Sequence, residues 1–516
     1  MADAFWRLAV IGTLGKLLLV PSYRSTDFDV HRNWLAITRS LPVSRWYYED
    51  TSEWTLDYPP FFAWFEYVLS LVAPWVDPLI TVISAEPYQS LRCILYQRFT
   101  VILTDGMLYY ALYRFVKEVG WQTTRERVAV AACIFLNFGL VLIDHILWLH
   151  IHFQYNGFLF GILIMSIVEV IKGRAIHAAA WFAILLNFKH IFLYLAPAYF
   201  VYLLRAYCFP RSLNPEALRR GMPRLASLGA VVLGITAISF GPFLVRGQLG
   251  QVLSRLFPFK RGLCHAFWAP NFWALYSFAD RILLTVYKVV LRRDVAAPAS
   301  MTRGLVGDTT FGILPDIPPL YTFLLTLLFQ LPALVKLFRK PTARNFIDAL
   351  ILCGYASFLF GWHVHEKAVL LMVIPLVAAE SLERFRIFAL LSAAGHVSLL
   401  PLLFTSAEGP TKVALIALWS VLTYGVLGHY ARGHKTSEPL FGRPLQLYLA
   451  GLCAVQTYAG LGHQLLFGSE RMEFLPLMIL SVYCALGVVV SWIQLYVVFM
   501  RPASGQVATK TSGHTS

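Results

Sequence analysis

Residues 474–499, FLPLMILSVYCALGVVVSWIQLYVVF, run for twenty-six positions without one charged side chain. About 20 apolar helical residues cross the hydrocarbon core of a bilayer, and backbone in that core must bond to itself. A run of this length therefore reads as a membrane-crossing helix. ASLGAVVLGITAISFGPFLV (226–245) is a second charge-free run. Only 14% of the chain is charged and 58% is hydrophobic, with mean hydropathy +0.62. A soluble domain carries about 25% charged residues, so lipid is the main solvent of this chain.

Apolar runs near 5–21, 61–80, 98–116, 128–146, 153–171, 177–207, 226–245, 312–338, 346–361, 366–381, 386–404, 412–430, 444–467 and 474–499 predict an all-α polytopic membrane protein of about fourteen transmembrane helices. The 177–207 stretch is interrupted by Lys189 and His190, which allows two short spans instead. No small-residue cleavage pattern follows the first run, so it is expected to stay as an anchor. The excess of 43 Lys+Arg over 28 Asp+Glu fits cytoplasmic loops of a membrane protein rather than nucleic-acid binding. Seven scattered cysteines without paired spacing argue against a disulfide framework and a zinc site.

Basic clusters recur with parity: Arg211 to Arg224, Lys336 to Arg344, Arg384 with Arg386, Arg432 to Arg443, and the tail. The positive-inside rule makes their side cytoplasmic. Loops 22–60 and 246–311, HVHEK (363–367) and FGSERMEF (467–474) then face the other side, with both termini cytoplasmic. Arg114, Lys117, Arg125 and Arg127 fall on the wrong side under this count. The implied division is an N-terminal membrane module (1–245) with its first far-side loop (22–60), a large far-side loop (246–311), a C-terminal membrane module (312–500) and a polar tail (501–516). The two long loops are rich in Trp, Tyr and Arg, as interfacial helices are.

Charge near a bilayer is costly, so four polar groups need an explanation. They are Asp27, Asp29, His31 and Arg32; Asp57 and Glu66 in TLDYPPFFAWFE; Asp144 to Asn156 in DHILWLHIHFQYN; and FPFKRGLCHAFWAPNFW paired with GWHVHEK. Each has an ordinary reading: an ion pair for Asp29 with Arg32, a helix entry for Asp57, interhelical bonding for Glu66 and Asp105, snorkelling cations for Lys260, Arg261 and Lys367. Taken together they gather carboxylates, cations and aromatic side chains at one membrane face. A carboxylate can accept a proton from a sugar hydroxyl, Lys, Arg and His⁺ can hold a departing phosphate, and Trp34, Trp46, Trp54, Trp268 and Trp273 offer faces for sugar rings. A lipid-phosphate sugar donor needs all three.

TDFDVHRNW, WYYEDTSEWTLDYPPF, HFQYNG, FPFKRG, APNFW and WHVHEK, in that order, resemble the endoplasmic-reticulum glucosyltransferases that use dolichyl-phosphate glucose, members of the C-superfamily of polytopic glycosyltransferases. GLCHAFWAPNFWALY and STDFDVHRNWLAITRSLP resemble the members that add a second glucose; the acidic FED stretch of first-glucose members is absent. The resemblance implies inverting α-1,3-glucosyl transfer onto a monoglucosylated nine-mannose oligosaccharide on dolichyl diphosphate, in the endoplasmic reticulum membrane with the site facing the lumen. It implies no metal or other cofactor, a donor and an acceptor both borne on membrane lipid, and no nucleic-acid partner. Asp27 matches the family's catalytic base. Asp29, Arg32, Trp34, Asp57, Tyr58, His152, Gln154, Asn156, Arg261, His363, His365 and Lys367 are the expected substrate-binding residues. One departure stands out: ILWLHI separates Asp144-His145 from HFQYNG, and five extra residues add about 7.5 Å if helical. Either that pair or His150 with His152 is then displaced. A first-glucose or other dolichyl-phosphate-sugar transferase is the nearest alternative. A polytopic transporter would place its polar groups near the bilayer midplane.

Overall fold

The computed structural model describes residues 2–18, 20, 26–119, 123–141, 155–210, 214–257, 262–265, 268–290, 292, 310–378, 381–402, 409–432, 438–468 and 471–501, the side chains of 2–4, 26, 27 and 141 excepted. Among these the chain is all-helical, with one isolated parallel bridge, Cys264 to Val364. Seven helices are long and apolar enough to cross a membrane: His190–Cys208, Pro215–Leu244, Pro319–Arg339, Ala343–Phe360, Leu382–Leu402, Gly409–Arg432 and Leu475–Met500. Shorter apolar helices span Pro60–Val76, Asn156–Ile171 and Ala175–Phe188.

Their ends follow local chemistry. The Thr342 and Ser381 hydroxyls accept from the backbone N–H three residues on, and Asn214 does so ahead of Pro215; each satisfies a donor that the first helical turn leaves open. Lys336 and Arg339 close their helix at the end where cations are favoured. Burial separates inner helices from outer ones. In Leu382–Leu402 and Ala343–Phe360, 89% and 78% of the apolar window is buried, against 11% in Pro215–Leu244 and 22% in Pro319–Arg339. The first pair forms the core, and the second presents apolar surface outward.

Two of the apolar runs are interrupted. The 61–80 run gives the helix Pro60–Ser70, a turn, and the short helix Ala73–Val76. The 177–207 run is broken: Ala175–Phe188 ends at Lys189 in extended geometry, and a 3-10 turn, His190–Leu195, starts the next segment. These shifts bear on the misplaced cations. Arg114 pairs with Glu118 and Glu169, and Lys172 with Glu118. That cluster lies at the far end of Asn156–Ile171 from Asn156, about 24 Å away for 16 residues.

Loops 22–60 and 246–311 contain the helices Thr26–Ser40, Leu249–Leu256 and Phe272–Val289. They are tied together where Gln248 donates to the Ser44 carbonyl and Gln251 to that of Tyr47, both at 2.8 Å.

Candidate active site

Two loops distant in sequence are stitched at one end of the helical core. The His363 N–H donates to the Leu263 carbonyl at 3.0 Å, its ring Nδ1 lies 2.8 Å from the Gly262 carbonyl, and the Trp273 indole donates to Gly361 at 2.9 Å. His363 pays for this fit with a φ of +49°, a left-handed conformation uncommon outside glycine. Gly361 has no room for a Cβ, which would strike the Ser357 carbonyl and the Val364 side chain. The stitch brings His265 beside His365, with ring centres 4.2 Å apart.

These loops wall a cavity of about 700 Å³. One part of its lining is polar and includes Asp57, Tyr58, Asn156, Lys189, Arg255 and Lys367, with His190, His265, His363 and His365. Another is apolar and includes Ile191, Leu193, Pro197, Phe323, Leu327 and Leu371. Phe323, Leu327 and Leu193 also reach the outer surface, 58%, 42% and 45% exposed. The apolar part thus continues onto the outward face of Pro319–Arg339.

Of the residues named from sequence, Asp57, Tyr58, Asn156, His363, His365 and Lys367 line this cavity. Asp57 does not cap the following helix, whose N-cap is Pro59. Asp29, Arg32 and Trp34 do not line it. Asp29 accepts from Gln89 at 3.2 Å, Arg32 donates to the Val82 carbonyl at 2.6 Å, and the Trp34 indole donates to that of Thr55 at 3.1 Å. All three fix the fold of the first loop. Burial lowers the Arg32 pKa most, with Cys93 and Asp29 opposing. His31 and Glu66 meet at 2.5 Å in the interior, and Asp105 pairs with buried Lys16, the interhelical roles expected for the two carboxylates. Trp46, Trp268 and Trp273 are buried; the aromatic part of the cavity wall includes Tyr58, Phe160, Phe257 and Trp362 instead. The Asp27 side chain, His152, Gln154, Arg261 and the 147–151 insertion lie outside the described residues.

Lys189, His190, Arg255 and His265 join the cavity although sequence did not single them out as site residues. The signal for the first two was present as the polar interruption of an apolar run. Lys189 sits 5.1 Å from the Tyr58 ring centre, within the range of a cation–π contact. Burial pushes the His365 pKa down to about 3, helped by His265, His363 and Lys189 and opposed by Glu366, so this ring is neutral at neutral pH. Burial raises Glu366, but His365 and His265 outweigh it and hold the carboxyl near about 2. His265, His365 and Glu366 bring their ligand atoms within 4.8 Å of one another, a spacing that a divalent metal could also use.

The chain is similar throughout its length to known proteins. A Neurospora crassa protein named dolichyl pyrophosphate Glc1Man9GlcNAc2 alpha-1,3-glucosyltransferase is 50% identical over 497 residues, covering 95% of this chain and 97% of that one. Proteins of the same name from Bos taurus and Schizosaccharomyces pombe are 46% and 45% identical, each covering at least 95% of this chain and 97% of their own. The model of the ALG6, ALG8 glycosyltransferase family matches residues 12–495, and the chain belongs to that family.

Proposed function

We propose that this protein is an α-1,3-glucosyltransferase that moves glucose from dolichyl-phosphate glucose to the monoglucosylated nine-mannose oligosaccharide on dolichyl diphosphate. The names of the relatives supply the acceptor and the linkage. The observation that carries the donor is the two-character cavity, cationic where Lys189 and Lys367 line it and apolar where Phe323 and Leu327 do. A phosphate ester of a polyprenol has the same two characters.

In the proposed reaction an acceptor hydroxyl attacks the anomeric carbon of a β-linked donor from the side opposite phosphate. The new C–O bond forms as the C–O bond to phosphate breaks, and the anomeric centre inverts. Asp27, at the start of Thr26–Ser40, takes the hydroxyl proton. The electron pair departs with dolichyl phosphate, whose growing charge Lys367 and Lys189 offset. His365, neutral before the donor arrives, offers a hydrogen bond rather than a standing charge. No step in this scheme uses a metal.

In the proposed topology the cavity faces the endoplasmic-reticulum lumen and both termini are cytoplasmic. With 61–80 on the luminal side and 177–207 split into two crossings, Arg114 and Lys172 come to the cytoplasmic face, which removes the conflict with the positive-inside rule. The count of fourteen crossings is kept.

The test is transfer by the purified protein in lipid nanodiscs, with a short-chain dolichyl-phosphate glucose analogue, excess chelator, and acceptors bearing no glucose or one. Expected is a single added glucose on the one-glucose acceptor alone. Transfer to the glucose-free acceptor would make this a first-glucose enzyme, and activity restored only by added Zn²⁺ would assign the cluster of His265, His365 and Glu366 to a metal. Cells lacking the protein should accumulate the one-glucose lipid-linked species.

A further inference from the structure

Glu366 lies behind the cavity wall rather than on it. Its side chain is 1% exposed, and among the described residues neither carboxylate oxygen reaches hydrogen-bond geometry with a donor. Two ring nitrogens do approach it: Nδ1 of His365 at 3.2 Å and Nδ1 of His265 at 3.4 Å, both measured to Oε2. Both histidines line the cavity. Buried carboxylates are kept by a compensating charge or donor, and these imidazoles are placed to supply it. Among the described residues the other titratable and charged groups along this cavity include Asp57, Lys189, His190, Arg255, His363 and Lys367. Nδ1 of His365 also accepts from the Lys367 backbone N–H at 3.4 Å, which suits the neutral ring; a protonated ring has Glu366 as its partner.

We infer that Glu366 is a positioning residue for the transfer: it orients His265 and His365 from behind, so that the far side of each imidazole meets the leaving phosphate. The inference rests on the transferase reading. The donor phosphodiester carries one negative charge, and the dolichyl phosphate that leaves carries two. The acceptor proton goes to Asp27, so the added charge at phosphate has to be met by the cavity. A buried carboxylate behind an imidazole fixes which way the ring faces, here toward the atom where the charge develops.

Glu366→Gln keeps the shape and removes the charge. Expected is a roughly ten- to hundredfold loss of kcat, as for one charge-assisted contact, with donor KM within a few-fold of the parent. His265→Gln should also lower kcat, and the double variant should lose less than the product of the two single losses. Glu366→Asp should recover part of the rate. Parental kcat per folded molecule in Glu366→Gln overturns the inference, as does one bound metal per chain that is lost in Glu366→Gln. Absence of transfer by the parent protein would instead sink the transferase reading itself.

Discussion

The ammonium of Lys189 lies 5.1 Å from the centre of the Tyr58 ring. The contact joins a break between two apolar segments to the DYPP turn of the first loop, and it sets a cation in the cavity wall close to Asp57. Lys189→Met should lower transfer roughly ten- to hundredfold, the scale of one charge-assisted bond, and Lys189→Arg should keep part of it. Lys367→Met should give a loss of similar size. The measurement is turnover per folded molecule, with folding followed by size exclusion and thermal melting. Loss only in step with protein amount would leave these lysines structural.

Asp27→Asn removes basicity and keeps shape. Binding of the lipid donor should persist while turnover falls by the ~10²–10⁴ typical of general-base loss. Asp57→Asn is the informative companion, since Asp57 lines the cavity beside Tyr58. Near-normal turnover by Asp27→Asn beside an inactive Asp57→Asn would move the base to Asp57.

Acid should weaken the folded state through His365. Its folded pKa of about 3 lies below the ordinary ~6.5, so between these values the unfolded chain binds a proton that the folded chain refuses. Stability from this group is therefore lost as pH falls below about 6.5, by at most about 1.4 kcal/mol per pH unit. Melting temperature in detergent should drop from pH 7 to pH 5, and His365→Gln should flatten that slope.

The guanidinium of Arg384 meets both carboxylate oxygens of Asp348 at 2.5 Å, and Asp348 is 3% exposed. Cutting one partner of such a pair strands the other charge, at a cost of roughly 3–5 kcal/mol. Asp348→Asn should lower the melting temperature clearly while leaving kcat per folded molecule unchanged. Replacing both residues by apolar ones of similar volume should restore most of the loss.

The long helices were legible because absence of charge over twenty or more residues has one cheap solution in a bilayer. The runs 226–245 and 474–499 accordingly fall in Pro215–Leu244 and Leu475–Met500. Shorter runs were not so decided. Pro60–Ser70 is apolar but gives way to a turn before Ala73–Val76, and at Lys189 two segments turn at a cavity that sequence does not display. WHVHEK and GLCH were recognisable as polar groups at one face. That His265 would come to lie against His365 was hidden, because the backbone stitch between Leu263 and His363 spans a hundred residues of chain. Trp34 shows the limit from the other side: an aromatic residue in a polar loop looks like a sugar platform, yet its indole is spent on Thr55.

The cavity's apolar wall runs out onto Phe323 and Leu327, on the exposed flank of Pro319–Arg339. A carrier that enters there keeps its tail in the membrane and never has to leave it. Encounter between enzyme and donor is then a collision in a plane, ruled by how many carriers share each patch of bilayer and how fast they drift. Dilution into more lipid should slow the enzyme even when the total amount of donor in the vessel is unchanged.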